Sequence, residues 1–181
     1  LVGSEMCIRD RILGERAYCM NRSNNDEIAI AFDEYRKRGV IDHDWESWAS
    51  LFTLEAKYIE HFLGEFSGRE QISQWIVSTM KQYPNISMWM EWWAIDGDRV
   101  ALYIWNNLPD PTGTGKRYGF PNTTILRYAG NGLWDYEEDF YNPADAERVW
   151  QEWFNDGGRI DTPPNNTCLL YTSDAADDMF R

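Results

Sequence analysis

Apolar residues recur at helical spacing in some stretches of the chain and at strand spacing in others. In SNNDEIAIAFDEYRKRG, residues 23–39, Ile28, Ala31, Phe32 and Tyr35 fall at the three- and four-residue steps of one helix face. Asn24 or Asn25 is placed to cap this helix, and Asp26 and Glu27 suit the partial positive charge of its first turn. Lys37 and Arg38, followed by Gly39, mark its end. DHDWESWASLF (42–52) predicts a short second helix capped by Asp42 or Asp44, with Trp45, Trp48, Leu51 and Phe52 inward. AKYIEHF (56–62) reads as a short strand. GREQISQWIVSTMKQYP (68–84) predicts a third helix with Ile72, Trp75, Ile76 and Met80 on its buried face and Pro84 beyond its end.

The period then changes. ISMWMEWWAIDGDRVALYIWNNL (86–108) is two strands joined at Asp96-Gly97-Asp98, a strong hairpin signal. PDPTGTGKRYG (109–119) is a loop, and its GTGK is a turn, since the rest of a phosphate-binding loop is missing. FPNTTILRYAGNGLWDYEEDFYN (120–142) is a second hairpin that turns on Ala-Gly-Asn-Gly. A last helix follows, with Asn142 as cap, Pro143 in its first position, and Gly157 and Gly158 at its end. Helices followed by an antiparallel meander make an α+β domain with helices on one face of the sheet.

Alternation sorts the hairpin residues by face. An even-length turn pairs Ile95 with Val100 and Trp93 with Leu102, so Trp89, Glu91, Trp93 and Ile95 share a face with Val100, Leu102, Ile104 and Asn106. Met88, Met90, Trp92, Tyr103 and Trp105 share the other. In the second hairpin, Asn122, Thr124 and Leu126 share a face with Asp135, Glu137, Asp139 and Tyr141. Parity alone does not say which face is inside.

With 181 residues, the chain is long enough for one domain with a sizeable core. Ten Trp, ten Tyr and eight Phe supply much of the apolar area. A net charge of −13 argues against nucleic acid or an anionic membrane surface as partner. No apolar run approaches the roughly 18 to 20 residues that span a bilayer. Cys7, Cys19 and Cys168 have neither zinc-ligand spacing nor a disulfide pattern, and no secretory signal is seen, so a reducing, cytoplasmic setting is expected. Two histidines, His43 and His61, give no metal set, and neither metal nor cofactor is expected. His43, in a capping loop, reads as structural.

The ends differ from the middle. LVGSEMCIRDR at the start and CLLYTSDAADDMFR at the finish lack its periodicity and resemble translated sequencing-adapter read-through. We expect the natural protein to begin near Met20, with residues 1–19 and 161–181 as non-native tails around a single domain, 20–160.

Between these ends, Asp44-Trp45-Glu46 to Leu51-Phe52, Tyr58-Ile59-Glu60-His61, Gly64 and Gly68-Arg69-Glu70 occur in order. GDRVALYIWN, LRYAGNGLW and EEDFYNPAD follow them. Over residues 24–156 or so, this series resembles the SnoaL-like polyketide cyclase branch of the nuclear transport factor 2-like superfamily. The resemblance implies a cone: a curved, mostly antiparallel sheet wrapped around N-terminal helices, with a C-terminal helix and an apolar pocket inside. Isomerases, cyclases, epoxide hydrolases, dehydratases and non-catalytic binding modules share that fold, so it does not by itself fix function.

The resemblance also implies site residues. It puts the Glu91 and Asn122 faces of the hairpins, and His61, in the pocket. The general-base carboxylate of the ketosteroid isomerase branch aligns with His61, its oxyanion-hole acid with Thr124, and its tyrosine near Tyr35. The Asp-Arg-Asp trio of the epoxide hydrolase branch aligns with Asn106, Ile104 and Asp139. Neither set is complete here, so neither activity transfers. The expected catalytic residues are His61, Asp139 and Tyr35; the expected ligand-binding residues are Asn106, Glu91, Trp89, Trp93, Ile104, Thr124 and Tyr141. His61 either moves a proton near neutral pH or hydrogen-bonds a neighbour at the cone's mouth. Asp139 either orients it or belongs to a solvated acidic edge, Glu137-Glu138-Asp139. The expected function is a pocket for a hydrophobic small molecule, with cofactor-independent acid–base catalysis (isomerase, cyclase, dehydratase or hydrolase). The alternative is a non-catalytic ligand-binding or dimerisation module. The aromatic outer face (Met88, Met90, Trp92, Tyr103, Trp105, Ile125, Trp134, Tyr136, Phe140) leads us to expect a homodimer.

Overall fold

The computed structural model describes residues 22–160. The three cysteines and both expected tails lie outside the described residues. In chain order the elements are α1 (Arg22–Arg36), a π-helical turn (Lys37–Ile41), α2 (Trp45–Ala49), β1 (Phe52–Glu60) and β2 (Gly64–Ser67). They continue as α3 (Arg69–Gln82), β3 (Ser87–Asp96), β4 (Arg99–Leu108), β5 (Tyr118–Gly130), β6 (Leu133–Phe140) and α4 (Pro143–Asn155). One six-stranded sheet has the order β2-β1-β6-β5-β4-β3, antiparallel except where β1 runs parallel to β6. No helix among the described residues is long and apolar enough to cross a membrane.

The helical periodicity holds. Ile28, Ala31, Phe32 and Tyr35 of α1 and Ile72 and Ile76 of α3 are buried against the sheet, together with Trp48, Phe52, Val100, Leu102 and Leu126. Asp44 caps α2 by accepting from Ser47 N at 3.0 Å. Asn142 caps α4 by accepting from Ala144 N at 3.1 Å. Around α4 a second cluster forms, in which Val149, Trp150 and Trp153 meet Leu108, Tyr118 and Phe120. The tight turn between β5 and β6 carries positive φ at Gly130, Asn131 and Gly132, as the Ala-Gly-Asn-Gly run predicts.

Several local expectations are corrected. Helix α1 opens at Arg22, so Asn24 and Asn25 lie inside it rather than at its cap. Gly39 does not stop the chain's coiling but lies within the π-helical turn. A Cβ there would sit 2.7 Å from Trp48 Cδ1, so only glycine lets α2 approach this closely. Phe52 belongs to β1, not to the second helix; the adjacent Leu51 carbonyl accepts from Trp134 N at 2.8 Å, drawing this part of the chain onto β6. Strand β2, short and partly exposed, is unforeseen.

The hairpin registers carry the largest corrections. Ile95 faces Val100 and Trp93 faces Leu102 as predicted, but the register then slips between Met90 and Trp92. Glu91 is the extra residue of a β-bulge, and beyond it the alternation reverses. Met88 and Met90 therefore turn toward the core, while Trp89 and Glu91 turn out. Between β5 and β6, register shifts flank Tyr128. These bring Trp134 into the core, fully buried, and put Asp135 outside, where it accepts from Arg127 Nε at 2.7 Å. The expectation of Trp134 outside and Asp135 inside is reversed, and the large apolar ring takes the buried place.

Candidate active site

The concave face of the sheet meets α1, the π-helical turn, α2 and α3 around a cavity of about 170 Å³. Two rows of cross-strand neighbours run beneath it, and all of their members but Leu126 and Val100 line it. Glu60, Asp139, Thr124 and Leu102 make one row, and Tyr58, Glu137, Leu126 and Val100 make the other. The parallel β1–β6 pairing is what sets Glu60 beside Asp139 and Tyr58 beside Glu137. From the helices come Tyr35, Trp45, Trp48, Trp75, Ile76 and Met80. The aromatic walls interlock, with Tyr58 and Trp75 ring centres 4.7 Å apart and Tyr35 and Trp48 5.4 Å apart.

Three carboxylates sit in this apolar setting: Glu60, Glu137 and Asp139, exposed by 4%, 2% and 9%. Their surroundings differ. Asp139 is the best satisfied: Thr124 Oγ1 and Tyr58 OH donate to it in short hydrogen bonds, and Asn122 Nδ2 donates at 2.9 Å. Burial still raises its pKa, against the pull of those donors. Glu137 accepts from Tyr35 OH at 2.8 Å, the Tyr58 hydroxyl also stabilises its charged form, and its Oε2 has no partner within hydrogen-bond distance. Burial first and the adjacent Asp139 second push it well above the usual carboxylate range. Glu60 Oε2 accepts from the Phe62 and Leu63 amides, the former at 2.9 Å, and Tyr141 also donates to this side chain. Its Oε1 has no partner, and burial raises its pKa too. The lining contains no Lys, Arg or His.

Residues 32–137 match the model of the SnoaL-like domain, more than half of the chain. The chain belongs to the SnoaL-like family. Solved structures agree on the fold. A protein of ketosteroid isomerase-like fold from Catenulispora acidiphila, in complex with trimethylamine, is 20% identical, with a TM-score of 0.55 over 66% of this chain and 90% of that one. An LEH-like epoxide hydrolase from M. tuberculosis is 11% identical, with a TM-score of 0.56 over 72% and 93%. A protein from Shewanella denitrificans described as a candidate SnoaL-like polyketide cyclase is 14% identical, with a TM-score of 0.55 over 68% and 96%. No curated protein sequence matches the chain.

Within this SnoaL-like domain, the structure brings six of the ten expected site residues together. Tyr35, Ile104, Asn106, Thr124, Asp139 and Tyr141 all line the cavity. His61, Glu91, Trp89 and Trp93 do not. His61 follows the end of β1, in the turn before β2, and its side chain is 56% exposed on the far side of the sheet. There Nε2 lies 2.7 Å from Glu138 Oε1, and the ring packs near Phe140. Glu91 and Trp89 are turned out by the bulge, and Glu91 accepts from Trp105 Nε1 at 2.8 Å. Trp93 faces the helices but lies along α1, against Phe32 and beneath the Arg36 guanidinium. His43 stacks on Trp45 at positive φ.

Sequence reasoning did not single out Glu60, Tyr58 or Glu137 as site residues, although it set Glu137 on the Asp139 face. A signal for the first two was present. Glu55 and Lys57 are charged and share His61's parity, whereas Ala56 and Tyr58 share Glu60's. Alternation therefore points Glu60 inward and His61 outward.

Proposed function

We propose that this cavity is a small-molecule site for cofactor-independent acid–base catalysis on a hydrophobic substrate, of the isomerase, cyclase, dehydratase or hydrolase type. The observation that supports it is the set of three buried carboxylates with unequal hydrogen bonding in one apolar cavity. Glu60, at the end of β1, has a free oxygen and a pKa raised above the ordinary carboxylate value. A carboxylate raised toward working pH is a better general base. Backbone amides at Phe62 and Leu63 fix its other oxygen and so its aim. Glu137 and Asp139, held by Tyr35, Tyr58, Thr124 and Asn122, bind and orient the ligand's polar end. Ile104, Asn106 and the indoles enclose the rest. The resemblance places a general-base carboxylate at His61; here the carboxylate facing the cavity is one residue earlier. A cavity near 170 Å³ suits about one ring, since an engineered cavity of about 150 Å³ admits benzene.

Proton transfer can be tested before the substrate is known. Exchange of α-hydrogens for solvent deuterium in a panel of one-ring ketones, followed by NMR, should be faster with the protein, and Glu60→Gln should remove about 100- to 10,000-fold of that effect. Full exchange activity in a folded Glu60→Gln variant would discard Glu60 as the base. No exchange with any ketone, and no turnover of one-ring epoxides or alcohols, would favour the non-catalytic binding module. We also propose a homodimer through the outer face of β3 and β4, where Trp89 and Trp92 are about half exposed.

A further inference from the structure

We propose that the cavity takes a small organic cation: a protonated alkylamine whose apolar body is about one ring in size. This rests on the reading of the cavity as a ligand site and narrows its occupant.

Hydrogen-bond accounting leads to it. Glu60 Oε1, Asn122 Oδ1 and Glu137 Oε2 are buried without partners, and all three residues line the cavity. With the two carboxyls ionised, the form that a bound cation favours, every one of these atoms is an acceptor. Asn122 has no freedom to offer a donor instead, because its Nδ2 is already spent on Thr124 Oγ1 and Asp139 Oδ1. No buried donor of the lining is orphaned in the same way among the described residues. Buried polar atoms nearly always have partners, so a group of orphans around one space points to what fills that space. An ammonium supplies up to three N–H donors and no acceptor, which is the complement of this set.

Charge agrees. Glu60, Glu137 and Asp139 share the cavity, while none of its lining residues is Lys, Arg or His. Grouped carboxylates in an apolar interior are costly without a counter-charge, and a ligand cation provides one. The walls suit it as well: Tyr35, Trp45, Trp48, Tyr58 and Trp75 line the same space, and aromatic rings attract cations. Among the described residues no group of three or more His, Cys, Asp or Glu is arranged to hold a metal ion. An organic cation is therefore the better complement.

Calorimetric titration of the full chain near neutral pH with benzylammonium and with benzyl alcohol tests this, since the two share ring and reach but differ in charge. Benzylammonium should bind more tightly by about tenfold or more. Glu137→Gln should cut that preference, and Glu60→Gln replaces it as the probe if Glu137→Gln does not fold. Equal affinities, or tighter binding of the alcohol, would overturn the cation while leaving a ligand site. An ammonium preference unchanged in a folded Glu137→Gln variant would place the cation elsewhere and overturn the proposal. Binding of neither compound would overturn both the cation and the site.

Discussion

At the scale of single residues, Glu137 and Asp139 are neighbours on one strand with opposite expectations. Glu137 is buried, with an oxygen left unpartnered, and its native pKa lies well above the unfolded value, chiefly because of that burial. The native state thus binds a proton that the unfolded chain releases above about pH 4.3. Stability from this group is fully present below that value and is lost as pH rises toward the raised native pKa. Glu137→Gln keeps an acceptor for Tyr35 and removes the titration. In thermal melts, the melting temperature of Glu137→Gln relative to wild type should therefore rise steadily as pH is raised from mildly acidic to mildly alkaline. A difference constant with pH would contradict the assignment. Asp139 is another matter, because Tyr58, Thr124 and Asn122 all donate to it. Asp139→Asn puts an amide NH2 against one of those donors and should cost about 1 to 3 kcal/mol, as an unsatisfied buried group does. Denaturant unfolding of the two variants at mildly alkaline pH should separate them clearly.

At the scale of elements, what was legible in the sequence and what was not have one cause. Helix faces were legible because a period of 3.6 tolerates an error of one residue at the ends; Tyr35 in α1 and Ile76 in α3 face the core as read. Strand faces are less forgiving, because one extra residue reverses every side chain beyond it. The bulge at Glu91 moved Trp89 out and Met90 in, and the shifts flanking Tyr128 moved Trp134 in. Where no bulge intervenes, in β4 and the adjoining stretch of β5, Ile104, Asn106 and Thr124 were placed correctly. The π-helical turn gives this scale its own test. Gly39 packs against the Trp48 indole, and an added Cβ would meet Cδ1 at 2.7 Å and Nε1 at 2.8 Å. Gly39→Ala should cost about 1 to 3 kcal/mol by overpacking. Much of that cost should disappear in a Trp48→Phe background, since the two residues share the contact. An equal cost in both backgrounds, measured by chemical unfolding, would show that the indole is not what excludes the methyl group.

At the scale of the whole molecule, the ends and the outer face carry the remaining expectations. Neither terminal segment has the apolar period that offsets the ordering entropy of folding. A chain cut to residues 20–160 should melt at the temperature of the full chain, and a clearly lower value would show that the ends contribute to the fold. The outer face is the stronger case. Met88, Met90 and Trp134 are lost from the set expected there, because the bulges turn them inward. Of what remains, Trp92, Tyr103 and Trp105 lie on β3 and β4, at one edge of the sheet, where Trp89 joins them, and Ile125, Tyr136 and Phe140 lie on β5 and β6. Trp92 and Tyr103 stack almost parallel with centres 5.9 Å apart, Tyr103 meets Trp105 edge-on, and Trp89 lies alongside with Arg117 over both it and Trp105. Aromatic and arginine side chains together are the usual composition of the buried centre of a protein interface. An edge strand with such a face also offers unpaired backbone groups to a second copy. Two-fold pairing satisfies both at once, since the same patch then covers itself. Light scattering at micromolar concentration should give the mass of a dimer. Trp105→Glu, which sets a charge in the middle of the patch and leaves the inner face untouched, should give a monomer with an unchanged circular dichroism spectrum. A wild-type monomer, or a dimer indifferent to Trp105→Glu, would remove this face from consideration as the subunit contact.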